Sequence, residues 1–184
     1  MSPLRIPPAV STTGASPRRP AGFTLIELMV ALAVAGVLLS VAVPSYRDGL
    51  LSNRAKAVAT DIHLAFLMAR SESLKRSKDV EIVANGGSWI NGWIVRVKTS
   101  TEVLRSTDAS TDVSLACGTS PGSASGACDN TITFGRNGRP TEYTEFRAYI
   151  TEKTSIQARC ISISLSGQPR VTVDTDNDPD NGCN

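Results

Sequence analysis

From Phe23 to Val43 the chain runs through 21 residues of which only Thr24, Glu27 and Ser40 are polar. As a helix, at about 1.5 Å per residue, this run spans roughly 30 Å, the thickness of a bilayer's hydrocarbon core. Arg18 and Arg19 stand just before it, so the positive-inside rule keeps the N-terminus cytoplasmic and exports the remainder of the chain. Past Pro44 the pattern turns amphipathic. Leu51, Ala55, Val58, Ile62, Ala65, Phe66 and Ala69 recur at helical spacing, with Arg54, Lys56, Asp61, Arg70, Glu72 and Lys75 falling largely between them. The pattern predicts one helix from about Phe23 to about Lys75, bent or locally unwound near Pro44 and Gly49. Its second half buries one face against a sheet. His63, the lone histidine, reads as a surface or boundary residue and is assigned no chemistry.

After Lys78 the chain switches to short β-prone runs separated by Gly, Ser, Asn and Pro clusters. The expected strands are 80–83, 93–98, 103–105, 113–116, 131–134, 146–150, 159–165 and 171–173. Trp89 and Trp93 flank Asn91-Gly92, which reads as a hairpin turn, and both tryptophans are expected to pack the sheet onto the helix. There is no internal repeat. The fold class is α+β: a long N-terminal helix, transmembrane in its first half, packed on a C-terminal antiparallel β-rich head.

Charge changes the picture in one respect. Residues 1–22 hold Arg5, Arg18 and Arg19 and no acid, so a chain without them carries 16 basic and 17 acidic residues. A nearly neutral body argues against a generic polyanion binder. The four cysteines, Cys117, Cys128, Cys160 and Cys183, form no C-x-x-C pair and have no histidine near them in sequence. They read as two disulfides in an oxidising compartment. Three pairings are open, and the sequence-local one, Cys117–Cys128 with Cys160–Cys183, is favoured. It closes the loop "GTSPGSASGACD", Gly118 to Asp129.

Three roles suit the apolar run: a plain anchor, a secretory signal cut near Ser40-Val41-Ala42, or a helix that lies first in a membrane and later in a protein filament. Glu27 bears on the choice: a secretory signal leaves its carboxylate in the apolar region unexplained, and the alternative to a packing role is an interfacial glutamate that snorkels to water. The stretch "GFTLIEL", Gly22 to Leu28, resembles the cleavage and methylation signal of type IV pilins and type II secretion pseudopilins. Pro44 stands where many pilins place a helix-bending proline. "ARSESLKR", Ala69 to Arg76, and the W-x-x-G-W spacing of Trp89 to Trp93 resemble the GspH/FimT/FimU branch of minor pilins and pseudopilins.

The resemblance implies a prepilin peptidase that cuts between Gly22 and Phe23 and methylates the new amine of Phe23. Its segments are then a leader, 1–22; a transmembrane and filament-core helix, 23–43; an amphipathic continuation, 44–77; and the head, 78–184. Cleavage supplies a cation one helical turn from Glu27, and a neighbouring subunit's amine reaches the same carboxylate in a staggered stack. Glu27 is thus expected to set filament register. The implied function is that of a minor pilin, a low-abundance structural subunit that helps start or cap a pilus. Its implied partners are other minor pilins, a major pilin and an inner-membrane assembly platform, with the head in the periplasm. The alternatives are a pseudopilin of a type II secretion system and a DNA-binding subunit for natural transformation.

The DNA reading rests on "SGQPRV", Ser166 to Val171, which resembles a glycine–arginine motif of some FimT-like proteins, although Gln168 stands where a first arginine belongs. Arg136, Arg139 and Arg170 would carry it, with Arg147 and Arg159 joining in space, since phosphate binding grows with the number of cations. The acidic tail opposes it, and it is not favoured. That tail places Asp174, Asp176, Asp178 and Asp180 at alternate positions. This fails the EF-hand pattern at its glycine and its twelfth-position glutamate, and so reads as a solvated acidic turn tied down by Cys183. No metal or cofactor is expected. Neither a Ser/His/Asp order nor HExxH, a P-loop or GxSxG is present, so the chain is read as a non-enzyme.

Overall fold

Helix α1 spans Leu25–Arg76 and passes through Pro44 and Gly49 without a break. The expected local unwinding there is not found: Pro44 lacks only its own N–H, and the residues on both sides stay helical. The computed structural model describes residues 22–124, 129–176, 178 and 182–183. The chain divides into two units, residues 1–41 and 42–184. The helix ends on a carbonyl-capping turn. Ser77 takes a left-handed conformation (φ 51°), its N–H donates to the Leu74 carbonyl, and the Lys78 N–H donates to the Ser73 carbonyl, the paired bonds of a Schellman motif. Arg76 donates to Glu72 at 2.6 Å and to Glu102 at 2.8 Å. Its guanidinium holds the Glu72 carboxyl below the ordinary carboxylate range.

Among the described residues eight strands come after it, in two antiparallel sheets. The first has the order β3-β2-β1-β5 and the second β4-β6-β7-β8. The strands are β1, Val80–Ala84; β2, Gly92–Val97; β3, Val103–Asp108; β4, Ser114–Gly118; β5, Thr131–Phe134; β6, Thr144–Tyr149; β7, Arg159–Ile163; and β8, Pro169–Val173. Each overlaps a strand expected from the sequence. β1 and β2 form the expected antiparallel hairpin, with Ala84 opposite Trp93, but Asn91-Gly92 is not a two-residue turn at its tip. Trp89–Asn91 forms a short 3₁₀ turn, and Gly92 (φ 85°) opens β2 instead. A Cβ at Gly92 would lie 2.1 Å from the Thr107 carbonyl oxygen, so this glycine is needed where β3 lies close beside β2, with Gly92 opposite Asp108.

The inner face of α1 carries Ala55, Val58, Ala59, Ile62, Ala65, Phe66, Ala69 and Ser73, all buried. Phe66 touches both sheets, with its ring centroid 6.2 Å from Phe134 on β5 and 6.2 Å from Phe146 on β6. Trp89 packs edge-on to Phe146 at 4.9 Å, and Trp93 is buried in the same core, as expected of both tryptophans. Alternation puts Val80, Ile82, Val95, Ile132, Ile161 and Ile163 inward.

The second sheet is covered on its other face too. Glu145 and Arg147 of β6 point away from the core yet are buried. Glu145 accepts bonds from the Gly122 N–H at 2.8 Å and the Tyr143 hydroxyl at 3.1 Å. Arg147, 3% exposed, meets Asp174, fully buried, at 2.7 Å and lies 5.1 Å from the Tyr149 ring centre. Cys160, paired with Arg147 in the ladder, is disulfide-bonded to Cys183. The tail is therefore not a wholly solvated acidic turn, because Asp174 anchors it from beneath. Cys117 is also disulfide-bonded. Cys128 and Asp180 lie outside the described residues.

Two outcomes test these contacts. Asp174→Ala leaves a buried guanidinium without this carboxylate and is expected to cost about 3–5 kcal/mol, while Arg147→Met with Asp174→Leu recovers most of that loss in chemical denaturation. Ser77→Gly relieves a left-handed non-glycine residue and is expected to raise stability by about 0.5–1 kcal/mol in the same measurement.

Candidate functional site

At its start, α1 is held by its own side chains. The Thr24 N–H donates to Glu27 Oε2 at 2.9 Å, the Thr24 hydroxyl donates to the same oxygen at 2.8 Å, and the Glu27 N–H returns a bond to Thr24 Oγ1 at 3.3 Å. The Thr24 carbonyl accepts the first helical bond, from Leu28. This is a reciprocal capping box. The sequence carried its signal as Thr-x-x-Glu ahead of an apolar run, but reading Glu27 only as a charge in lipid overlooked it. Gly22 and Phe23 precede the cap, with Phe23 exposed. Arg18 and Arg19 lie outside the described residues.

Beyond the cap, Leu28 to Tyr46 holds no charged residue. Its large apolar side chains, Leu28, Met29, Val30, Leu32, Val34, Val37, Leu38, Leu39, Val41 and Val43 among them, are all exposed in the single chain. The helix is long and apolar enough to cross a membrane. An apolar surface on this scale needs a covering phase, either lipid or other protein.

On the head, the structure brings together two of the arginine-bearing segments and removes a third. The 135–139 turn and the β7–β8 turn meet at two glycines. A Cβ at Gly167 (φ 77°) would lie 2.3 Å from the Gly138 carbonyl oxygen and 3.6 Å from the Arg139 Cα. Arg70 of α1 ties the junction by donating to the Gly167 carbonyl at 2.5 Å. Arg136, Arg139 and Arg170 are exposed, and Arg136 lies 3.9 Å from Asp79. Arg147 belongs to the buried pair with Asp174 and cannot join a surface, which corrects the sequence reading; Arg159 is half-buried. His63 sits half-buried at the helix boundary, with Nδ1 shielded and unbonded.

Residues 58–167, more than half of the chain, match the family model described as "Type II transport protein GspH". The chain belongs to the GspH family. Residues 17–43 match the prokaryotic N-terminal methylation motif, which covers the capped helix start and the apolar run. A fimbrial protein of Neisseria meningitidis serogroup B is 37% identical over 83 residues, 45% of this chain and 43% of that protein. A serogroup A counterpart is 37% identical over 87 residues, 47% and 42% respectively. The match thus spans under half the length of these relatives. Among solved structures, the type IV minor pilin FimU of Pseudomonas aeruginosa has a TM-score of 0.54 at 21% identity, covering 72% of this chain and 96% of that one. The minor pseudopilin EpsH of Vibrio cholerae has a TM-score of 0.50 at 9% identity, covering 66% and 98%. These likenesses show the fold, a long helix packed on antiparallel sheets. The GspH family is one of structural minor pilins and pseudopilins, and the matched methylation motif falls at the helix start, where this chain places Thr24 and Glu27.

The cap separates two properties of Glu27. Thr24→Ala is expected to cost the helix start about 0.5–2 kcal/mol, read as faster amide exchange at residues 25–28 in micelles. Glu27→Gln keeps a side-chain acceptor at the same position and is expected to leave those rates within about two-fold.

Proposed function

We propose that this GspH-family chain is a minor type IV pilin, a low-abundance subunit that helps start or cap a pilus. A prepilin peptidase cuts between Gly22 and Phe23 and methylates the Phe23 amine. Until assembly the apolar helix lies in the inner membrane with the head in the periplasm. The helix then moves from lipid into a bundle of pilin helices, with other minor pilins, a major pilin and an inner-membrane platform as partners. The observation that carries this reading is a helix that is capped at its start and whose residues 28–46 hold no charge and keep their large apolar side chains exposed in the single chain. Such a surface suits transfer from a membrane to a filament interior.

Glu27 supplies the register. Its charge is compensated when a subunit docks so that the carboxylate meets an N-terminal amine, and an offset of one turn leaves both ions unpaired. Pilus is preferred to secretion pseudopilus because the curated relatives with sequence likeness are fimbrial proteins, 37% identical over their matched part.

A deletion strain is expected to lose surface motility while retaining protein secretion; the reverse result favours the pseudopilus, and loss of DNA uptake alone favours the transformation role. Mass spectrometry of the native protein is expected to begin at N-methylated Phe23. Glu27→Gln, processed normally, is expected to enter sheared filaments at least ten-fold less than the wild type. Normal incorporation of that variant would rule out the register role.

A further inference from the structure

Opposite its buried face, α1 carries a second ordered stripe. Tyr46, Leu50, Ala57, Leu64, Leu67 and Leu74 recur at alternating four- and three-residue steps, with the short polar residues Asn53, Thr60 and Ser71 completing the series. All nine positions are exposed, and the five large side chains are between 40% and 69% exposed. The repeat of 3.5 residues holds for four heptads. The core-facing residues of the same helix, such as Ala55, Val58, Ile62 and Ala69, fall outside this series. A face turned only to water has no reason to keep an apolar 3.5-residue period, whereas a second helix packed along it does.

The flanks say which helix. In heptad terms, the positions beside the stripe hold Arg47, Arg54, Lys56, Arg70 and Lys75 against one acid, Asp61. Within the fold, Arg54 pairs with Asp112, Lys75 with Glu72 and Asp61 with Arg105. Arg70 spends its bond on a neutral carbonyl. Arg47 and Lys56 make no ion pair among the described residues. In a parallel pair of two copies, Arg70 meets Lys75, and Lys56 meets an Asp61 already held by Arg105 at 3.0 Å. A second copy therefore gains little, while a helix with acidic flanks meets Arg47 and Lys56, the two flanking cations that make no ion pair among the described residues.

The geometry points to this stripe as a heterotypic seam: residues 46–74 of α1 pack along the stalk helix of a different filament subunit whose flanking positions are acidic. The inference rests on the reading of the chain as a filament subunit, and names the surface and the charge of its neighbour. Asn53, Thr60 and Ser71, all short, let the two backbones approach, and the flanks disfavour a copy of itself by setting Arg70 against Lys75.

The test uses the full chain in its host membrane, with a photo-activated benzoylphenylalanine in place of Leu67 or, separately, of Leu39. The expected result is a Leu67 adduct that peptide mapping places in the stalk helix of a different pilin-type chain, beside acidic residues. Arg47→Glu with Lys56→Glu is expected to reduce it at least five-fold without changing the Leu39 adduct. A Leu67 adduct to a second copy, to lipid alone or to nothing, with Leu39 still captured by another subunit, overturns the seam and spares the subunit reading. An unchanged Leu67 yield in the charge-reversed variant overturns the acidic partner. Failure of both positions to capture any subunit overturns the filament reading and the seam together.

Discussion

Small residues on the inner face of α1 set how closely two sheets can approach one helix. Ala55, Ala59, Ala65 and Ala69 are buried with almost no side chain to accommodate, so strands lie near the backbone and Phe66 can reach Phe134 and Phe146 at once. The head depends on this column. A turn of α1 by one residue, about 100°, would bring Lys56 and Thr60 inward and leave the two sheets with no common anchor. The same rotational constraint decides which residues face away, so the outer stripe is a geometric consequence of the core register.

A sheet packed on one helix still has another face. In the second sheet that face carries Glu145, Arg147 and Cys160 and is closed by the segment around Gly122 and by the tail. Gly182 approaches so closely that a Cβ there would sit 2.4 Å from the Gly122 carbonyl oxygen. Polar groups beneath such a cover need partners, which is why Arg147 finds both Asp174 and the Tyr149 ring. A buried ion pair adds little net stability over a well-packed apolar pair. The Cys160–Cys183 bond restrains the tail through the unfolded state instead, by about 2–4 kcal/mol for a typical disulfide.

Much of this was legible in the sequence. Period and composition place α1 and all eight strands, because local alternation and the Gly, Ser and Asn breaks follow from the chain's own burial needs. The order β3-β2-β1-β5 and the splitting into two sheets were not legible, since pairing depends on contacts distant in sequence. Arg147 shows the same limit. Its neighbours in sequence suggest an exposed cation, and only the ladder with Cys160 and the return of Asp174 bury it. Asn91-Gly92 misled for a different reason. That dipeptide permits a tight turn but does not require one, and here the hairpin between β1 and β2 closes through a longer connection, with the positive-φ glycine placed where β3 lies close beside β2. At the helix start, Thr24 carried a readable capping signal that the more conspicuous charge of Glu27 obscured.

The cap and the proposed register role of Glu27 do not compete. Both bonds from Thr24 end on a single oxygen, Oε2, and both come from neutral donors. They orient the carboxylate and hold it at the first turn, but they leave its full negative charge in place. A pre-oriented ion in a low-dielectric setting gains more from a correctly placed cation than a mobile one, because less side-chain freedom is lost on pairing. In the proposed register role the local bonds fix where the amine docks, and the charge of the carboxylate supplies the attraction. Replacing the glutamate with glutamine separates these contributions, since the glutamine can keep the first and must lose the second.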